Sequence, residues 1–171
     1  MADMGDLANY MNTFAQHNPA LAVANIVACR IAAAIVENLA LNTPADVGDA
    51  VSNWQVTLDV PAPAVVPAFA PSPKGSVKHG VWTHKVPPSV TIVNNAPSVL
   101  ASAKTVLTGK QPGQTIYITN NVEYIKELDA GSSTQAAAGL AARAQIAGDQ
   151  AFQRAKQQVN AINALNLPVI P

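Results

Sequence analysis

Asn53-Trp54-Gln55-Val56-Thr57-Leu58 alternates polar and apolar residues with the two-residue period of a strand, which places Trp54, Val56 and Leu58 on one face. A second run, Thr115-Ile116-Tyr117-Ile118-Thr119, has the same β-branched and aromatic character. It is closed by Asn120-Asn121, whose side chains bond nearby backbone and tolerate left-handed geometry. These two runs predict a small, mainly antiparallel sheet at the centre of the fold.

Upstream of the first strand, residues 1–41 read as helix, with Asn18-Pro19 as a break or a start. Leu21, Ile26, Val27, Ile31, Ile35 and Leu39 recur near the helical period. Most other positions are alanine, so neighbouring helices can approach closely, and Asn42-Thr43-Pro44 stops the run. Downstream, residues 123–165 are helical again. Tyr124 and Leu128 are expected to set one helical turn against the sheet as core residues, with Gly131 as its left-handed terminator. Ser132 or Ser133 is expected to cap the final helix, and residues 166–171 form a short extended tail. The fold class is α+β. Residues 1–171 read as one domain, a small sheet within a β-rich zone at 47–121, flanked by helices at both ends.

Seven of the 13 prolines fall in residues 61–88. Each removes a ladder donor, so this stretch is no central strand. It reads as a long arm or loop that becomes ordered on a neighbour, because it has too few large apolar residues to build a core of its own. A short helix is expected at residues 98–107.

Ten basic residues balance ten acidic ones, only 12% of residues are charged, and the 49% hydrophobic share comes with just 5% aromatics. No global field attracts nucleic acid, and so weakly charged a surface is poorly protected against self-association. Much of it is expected to meet other proteins. Residues 20–41 are long enough to span a bilayer, but Arg30 near the centre costs roughly 2.5–3.5 kcal/mol on insertion scales. A helix buried in a soluble assembly is expected, with no membrane. Residues 1–14 carry Asp3 and Asp6 and lack a basic start, so they do not read as a secretory leader.

Reactive constellations are scarce. Cys29 lies in an alanine-rich helix beside Arg30 and reads as an inert buried thiol. His79 and His84 lack nearby ligands of a third kind and read as solvated loop histidines. Gly109-Lys110-Gln111-Pro112-Gly113 lacks the spacing of a phosphate loop and reads as a turn into the second strand. The chain is expected not to be an enzyme and to need no metal or cofactor. Lys74, Lys78 and Lys85, with Trp82 among them, are either solvated or a contact for a DNA backbone.

Thr43-Pro44-Ala45-Asp46-Val47-Gly48-Asp49-Ala50-Val51-Ser52-Asn53-Trp54-Gln55-Val56 resembles the "TPVDTGRARSNWQV" signature of phage neck and tail-completion proteins. Its proline-rich continuation to Lys74-Gly75 is similar to that family's. The segment from Ile118 through Asn120-Asn121, Tyr124, Leu128, Gly131 and Gln135 to Ala136 resembles its "NN-x-Y-x-x-x-L-E-x-G-x-S-x-Q-A-P" motif. Asp49 and Val51 stand where the family has arginines, and Ala137 where it has proline, so contacts made by those residues are not inherited. The resemblance implies a virion structural protein at the head–tail junction, present in the host cytoplasm during assembly. It further implies rings of six or twelve copies that join portal-side adaptors to tail or tail-terminator proteins around a DNA channel. Asn53, Trp54, Asn120, Asn121, Tyr124, Leu128, Gly131 and Gln135 are then the motif and interface residues, and Lys74, Lys78 and Lys85 the candidates for facing DNA. The competing readings are a small binding or metal-dependent domain using His79 and His84, or a membrane-active protein using residues 20–41.

Overall fold

Among the described residues the first element is α1 (Pro19–Asn42), which ends where Thr43 turns back on it. Thr43 donates both its N–H and its hydroxyl to the Leu39 carbonyl, at 3.0 and 2.6 Å. The computed structural model describes residues 19–78, 81–133, 135 and 137–164, and the expectations for residues 1–18, for His79 and for the tail at 166–171 lie outside that set.

After α1 come the one-turn helix α2 (Asp49–Ser52), β1 (Gln55–Leu58), β2 (Ser76–Lys78), β3 (Val81–Thr83), α3 (Pro88–Thr108), β4 (Ile116–Thr119), the short α4 (Ile125–Asp129) and α5 (Leu140–Ala164). The strands form two antiparallel pairs. β1 pairs with β4 from Gln55↔Thr119 to Leu58↔Ile116, as the two alternating runs predict, and β2 pairs with β3 from Ser76↔Thr83 to Lys78↔Val81. The mixed α+β class and the antiparallel sheet with flanking helices therefore stand.

The zone at 47–121 is not β-rich throughout, because α3 runs through it for 21 residues in place of the short helix expected. Two features make a helix with this much proline possible. Pro88 occupies the first turn, where no intrahelical donor is needed, and Pro97 lies on the exposed side. Its buried stripe recurs every fourth residue, at Thr91, Asn95, Val99, Ala103 and Leu107.

α1 is the central helix, packed against α3 on one side and α5 on the other. One core cluster joins Ala32, Val36 and Ala40 of α1 to Val51, Val56, Ala96, Val99, Ala103 and Leu107. A second joins Leu39 to Leu140 and Ala144, and Trp54 and Ile118 touch both. The side chains are small, so the backbones sit close together. At Gly148 of α5 an added Cβ would lie 2.9 Å from Ile35 Cδ1.

Two local expectations change. Tyr124 is 39% exposed and so is not a core residue, while Leu128 four residues on is partly buried against the second cluster. The final helix begins at Leu140, and neither Ser132 nor Ser133 caps it. Asp129 holds its start instead, accepting the Ala141 N–H with Oδ1 and the Gly139 N–H with its backbone carbonyl. Gly131, at φ 88°, terminates α4 as expected, with Gly131 N–H bonded to Leu128 O and Ser132 N–H to Glu127 O in the paired pattern of a left-handed cap.

Candidate functional site

The proline-rich stretch, expected to be a long arm or loop, carries no helix or strand at residues 61–75, and up to Gly75 it is a strap tied along the body of the domain rather than a free arm. The physical reason is its backbone, whose polar groups have no ladder partner and are taken up by side chains from the body. Asn121 Nδ2 donates to the Ala62 and Ala64 carbonyls, and Gln55 Nε2 also reaches Ala64. Asn53 treats Val66 as a neighbouring strand would. Its Oδ1 accepts the Val66 N–H at 2.7 Å and its Nδ2 donates to the Val66 carbonyl at 2.8 Å.

Asn95 does the same for Ala70, accepting its N–H at 2.7 Å and donating to its carbonyl at 2.9 Å. Ser52 joins the two grips, since its hydroxyl donates to Asn95 Oδ1 and accepts the Phe69 N–H. Asn53, Asn95 and Thr91 are completely buried, and Ser52 nearly so. Ser72 continues the line, its N–H donating to the Val47 carbonyl and its hydroxyl bonding that of Thr91. Gly48, which opens α2 at φ 99°, has no room for a side chain, because a Cβ would stand 2.7 Å from Asn95 Nδ2.

A closed ring of hydrogen bonds lies where the strap enters the β2–β3 hairpin. Both oxygens of Asp46 face the Gly75 N–H, and its Oδ1 is 2.9 Å from His84 Nδ1. His84 Nε2 is 3.1 Å from Gln135 Nε2, and Gln135 Oε1 accepts the Ala45 N–H at 2.8 Å. The Ala45 bond fixes which end of the Gln135 amide is oxygen, so its nitrogen must donate to the ring. His84 is then the tautomer with its proton on Nδ1, donated to Asp46. The ring ties together the loop after α1, the base of the hairpin and the turn before α5. His84 is therefore an architectural residue and not a solvated loop histidine.

The other site candidates are placed as follows. Trp54 lies just before β1 and donates Nε1–H to Thr43 Oγ1 at 2.7 Å. Asn120 donates to the Ala50 carbonyl and accepts the Val122 N–H, so both asparagines of the pair are in use. The half-exposed Tyr124 phenol has its pKa raised, first by burial and then by the carboxylates of Asp49 and Asp46. Lys74 and Lys85 are both exposed at the base of the hairpin, and Lys78 belongs to β2. Lys110, expected in a plain turn, is buried, and its ammonium donates to Asn25 Oδ1 at 2.6 Å and to the Gln111 carbonyl at 3.1 Å. Burial pushes the Cys29 thiol up, with Lys110 pulling the other way.

Among the described residues no group of three or more His, Cys, Asp or Glu is placed to hold a metal ion. By length and composition alone, α1 is apolar enough to cross a membrane. Between its first half and the last turns of α5 lies an open apolar cleft of about 440 Å³. Comparison of the chain with protein-family models, with curated proteins and with solved structures returned no match.

Sequence reasoning passed over Ser52, Thr91, Asn95 and Gly48, which hold the strap, and did not join Asp46 to His84. One signal for Asn95 is available. It is a polar residue spaced four from Thr91 and four from Val99, on the stripe that the helix buries.

Proposed function

We propose that the protein is a structural subunit of the neck of a tailed phage, a ring-forming head–tail connector or tail-completion protein with no enzymatic role. The observation that carries this reading is the convergence of the two segments that resemble the family signature. They are far apart in sequence, yet β1 pairs with β4, Asn120 bonds Ala50, and Gln135 bonds Ala45. The resemblance therefore falls on residues that depend on one another, not on two unrelated stretches. The weakly charged exterior and the strap's exposed Val60, Val65 and Phe69 supply surface for neighbouring subunits.

In this reading each subunit meets the next head to tail, and rotation closes six or twelve copies into a ring. One face meets the portal-side adaptor, the other the tail or tail terminator, and DNA passes through the middle. The β2–β3 hairpin with Lys74, Lys78 and Lys85 is the element assigned to the lumen.

Electron microscopy of intact particles tests the location: a ring of this subunit is expected between portal and tail. Particles whose heads and tails join normally without the protein overturn the reading. Neutralising the three lysines together is expected to leave rings assembled and to impair DNA retention. Normal packaging and ejection by that variant remove the lumen contact.

A further inference from the structure

Each bond in the ring of Asp46, His84, Gln135 and Ala45 has a fixed direction, and one proton sets it. The Ala45 N–H can only donate, so the Gln135 oxygen faces it at 2.8 Å and the Gln135 amide nitrogen faces His84 Nε2 at 3.1 Å. That second contact needs Nε2 as an acceptor, which only the neutral ring provides. A proton on Nε2 sets two donors face to face. Turning the amide over relieves His84 but sets the amide nitrogen against the Ala45 N–H, again donor against donor. Asp46 responds in the opposite sense. His84 Nδ1 lies 2.9 Å from its Oδ1, and a charged ring strengthens that bond.

We infer that His84 is a pH-operated catch: protonation keeps its ring on Asp46 and expels Gln135, releasing the turn before α5 from the body of the domain. Protons can reach the site, because the side chains of His84 and Asp46 are 20% and 22% exposed. Histidine is also the side chain whose charge changes nearest neutral pH. Little else holds the turn, since the other hydrogen bonds described for residues 133–139 stay within residues 129–143. The charged and titratable groups about the ring come from every element it joins. Asp46 belongs to the loop after α1, and its field is shared by Asp49 and the Tyr124 phenol. Lys74 and Lys85 stand exposed at the base of the hairpin. Asp129 and Arg143 flank the turn and are committed to its backbone and that of α5. Of these groups Asp46 is the one that gains from a charged His84 by direct contact. This inference concerns the subunit alone and does not rest on the neck reading.

The test is an NMR titration of the full chain from pH 8 to pH 5, read at the His84 ring nitrogens and the Ala45 amide. Ala45 is 2% exposed, and its amide is expected to lose about tenfold or more of its protection, after correction for the intrinsic pH dependence of exchange, as Nε2 gains its proton. The amides of Val36 and Val99 in the core are expected to keep theirs. Unchanged Ala45 protection across the His84 titration overturns the inference, as does a His84 ring that takes up no proton in this range. A loss shared by Val36 and Val99 is global unfolding and overturns it too. Gln135→Glu supplies a second arm, because a carboxylate accepts from both the Ala45 N–H and a protonated ring. That variant is expected to raise the midpoint of the His84 titration by about one pH unit or more and to keep Ala45 protected at pH 5. An unmoved midpoint overturns the inference.

Discussion

Asn95→Ala is the sharpest test of the strap. The amide accepts from the Ser52 hydroxyl at 2.9 Å and the Ala70 N–H at 2.7 Å, and donates to the Ala70 carbonyl at 2.9 Å. Its fourth bond, to the Thr91 carbonyl, stays within its own helix. Three links between elements at roughly 1 kcal/mol each give a loss of about 3 kcal/mol. That is a large part of the roughly 5–15 kcal/mol that holds a domain folded. For a chain of this size it corresponds to a fall in Tm of roughly 6–12 °C.

The loss should also be local. If the strap opens as a unit, exchange at the Phe69 and Ala70 amides should rise about a hundredfold, since every 1.4 kcal/mol is a factor of ten. Urea melts and amide exchange by mass spectrometry or NMR measure both quantities. Asn95→Asp is expected to be worse than Asn95→Ala, because a buried carboxylate would face the Ala70 and Thr91 carbonyls. A variant Asn95→Ala with an unchanged melt and unchanged exchange at Phe69 and Ala70 refutes the reasoning.

Gly48→Ala combines a positive φ with a Cβ 2.7 Å from Asn95 Nδ2, and is expected to cost at least about 2 kcal/mol in a urea melt. A loss under about 0.5 kcal/mol contradicts the close approach. Nitrogen shifts of the His84 ring should report a protonated Nδ1 and an unprotonated Nε2 in the native protein. In Gln135→Leu, which removes both the donor to Nε2 and the acceptor of the Ala45 N–H, that preference should weaken and the Ala45 amide should exchange faster. Burial holds the Cys29 thiol above its ordinary range, so less thiolate is present at a given pH than in the unfolded chain. Iodoacetamide at pH 8 should therefore label native Cys29 at least about tenfold more slowly than Cys29 in urea, and equal rates would show the site to be open.

What the sequence discloses follows from how local each determinant is. β1 and β4 carry their own alternation, α1 its stop at Asn42-Thr43-Pro44, and Gly131 a turn that needs a left-handed residue. All of these are read within a few residues, and all are present in the fold. The extent of α3 is hidden because the cost of Pro97 depends on which side of the helix faces solvent, which only packing decides. The strap is hidden for a related reason. Its composition shows that it cannot form a ladder, but the groups that replace the ladder sit on Asn53, Asn95 and Asn121, as far as 59 positions from the carbonyls they bind. His84 likewise acquires its role only when Asp46, 38 positions away, and Gln135, 51 positions away, arrive on either side of its ring.

The ties of the strap also impose an order on folding. Val66 and Ala70 can be gripped only after Asn53 follows a formed α2 and Asn95 lies on a formed α3, so the strap is a late arrival with nothing to hold until the helices have packed. Contacts closed that late add little to the rate of folding and mostly slow unfolding. A strap that closes last would act as a kinetic lock: loosening its ties, as in Asn95→Ala, is expected to speed unfolding more than it slows refolding.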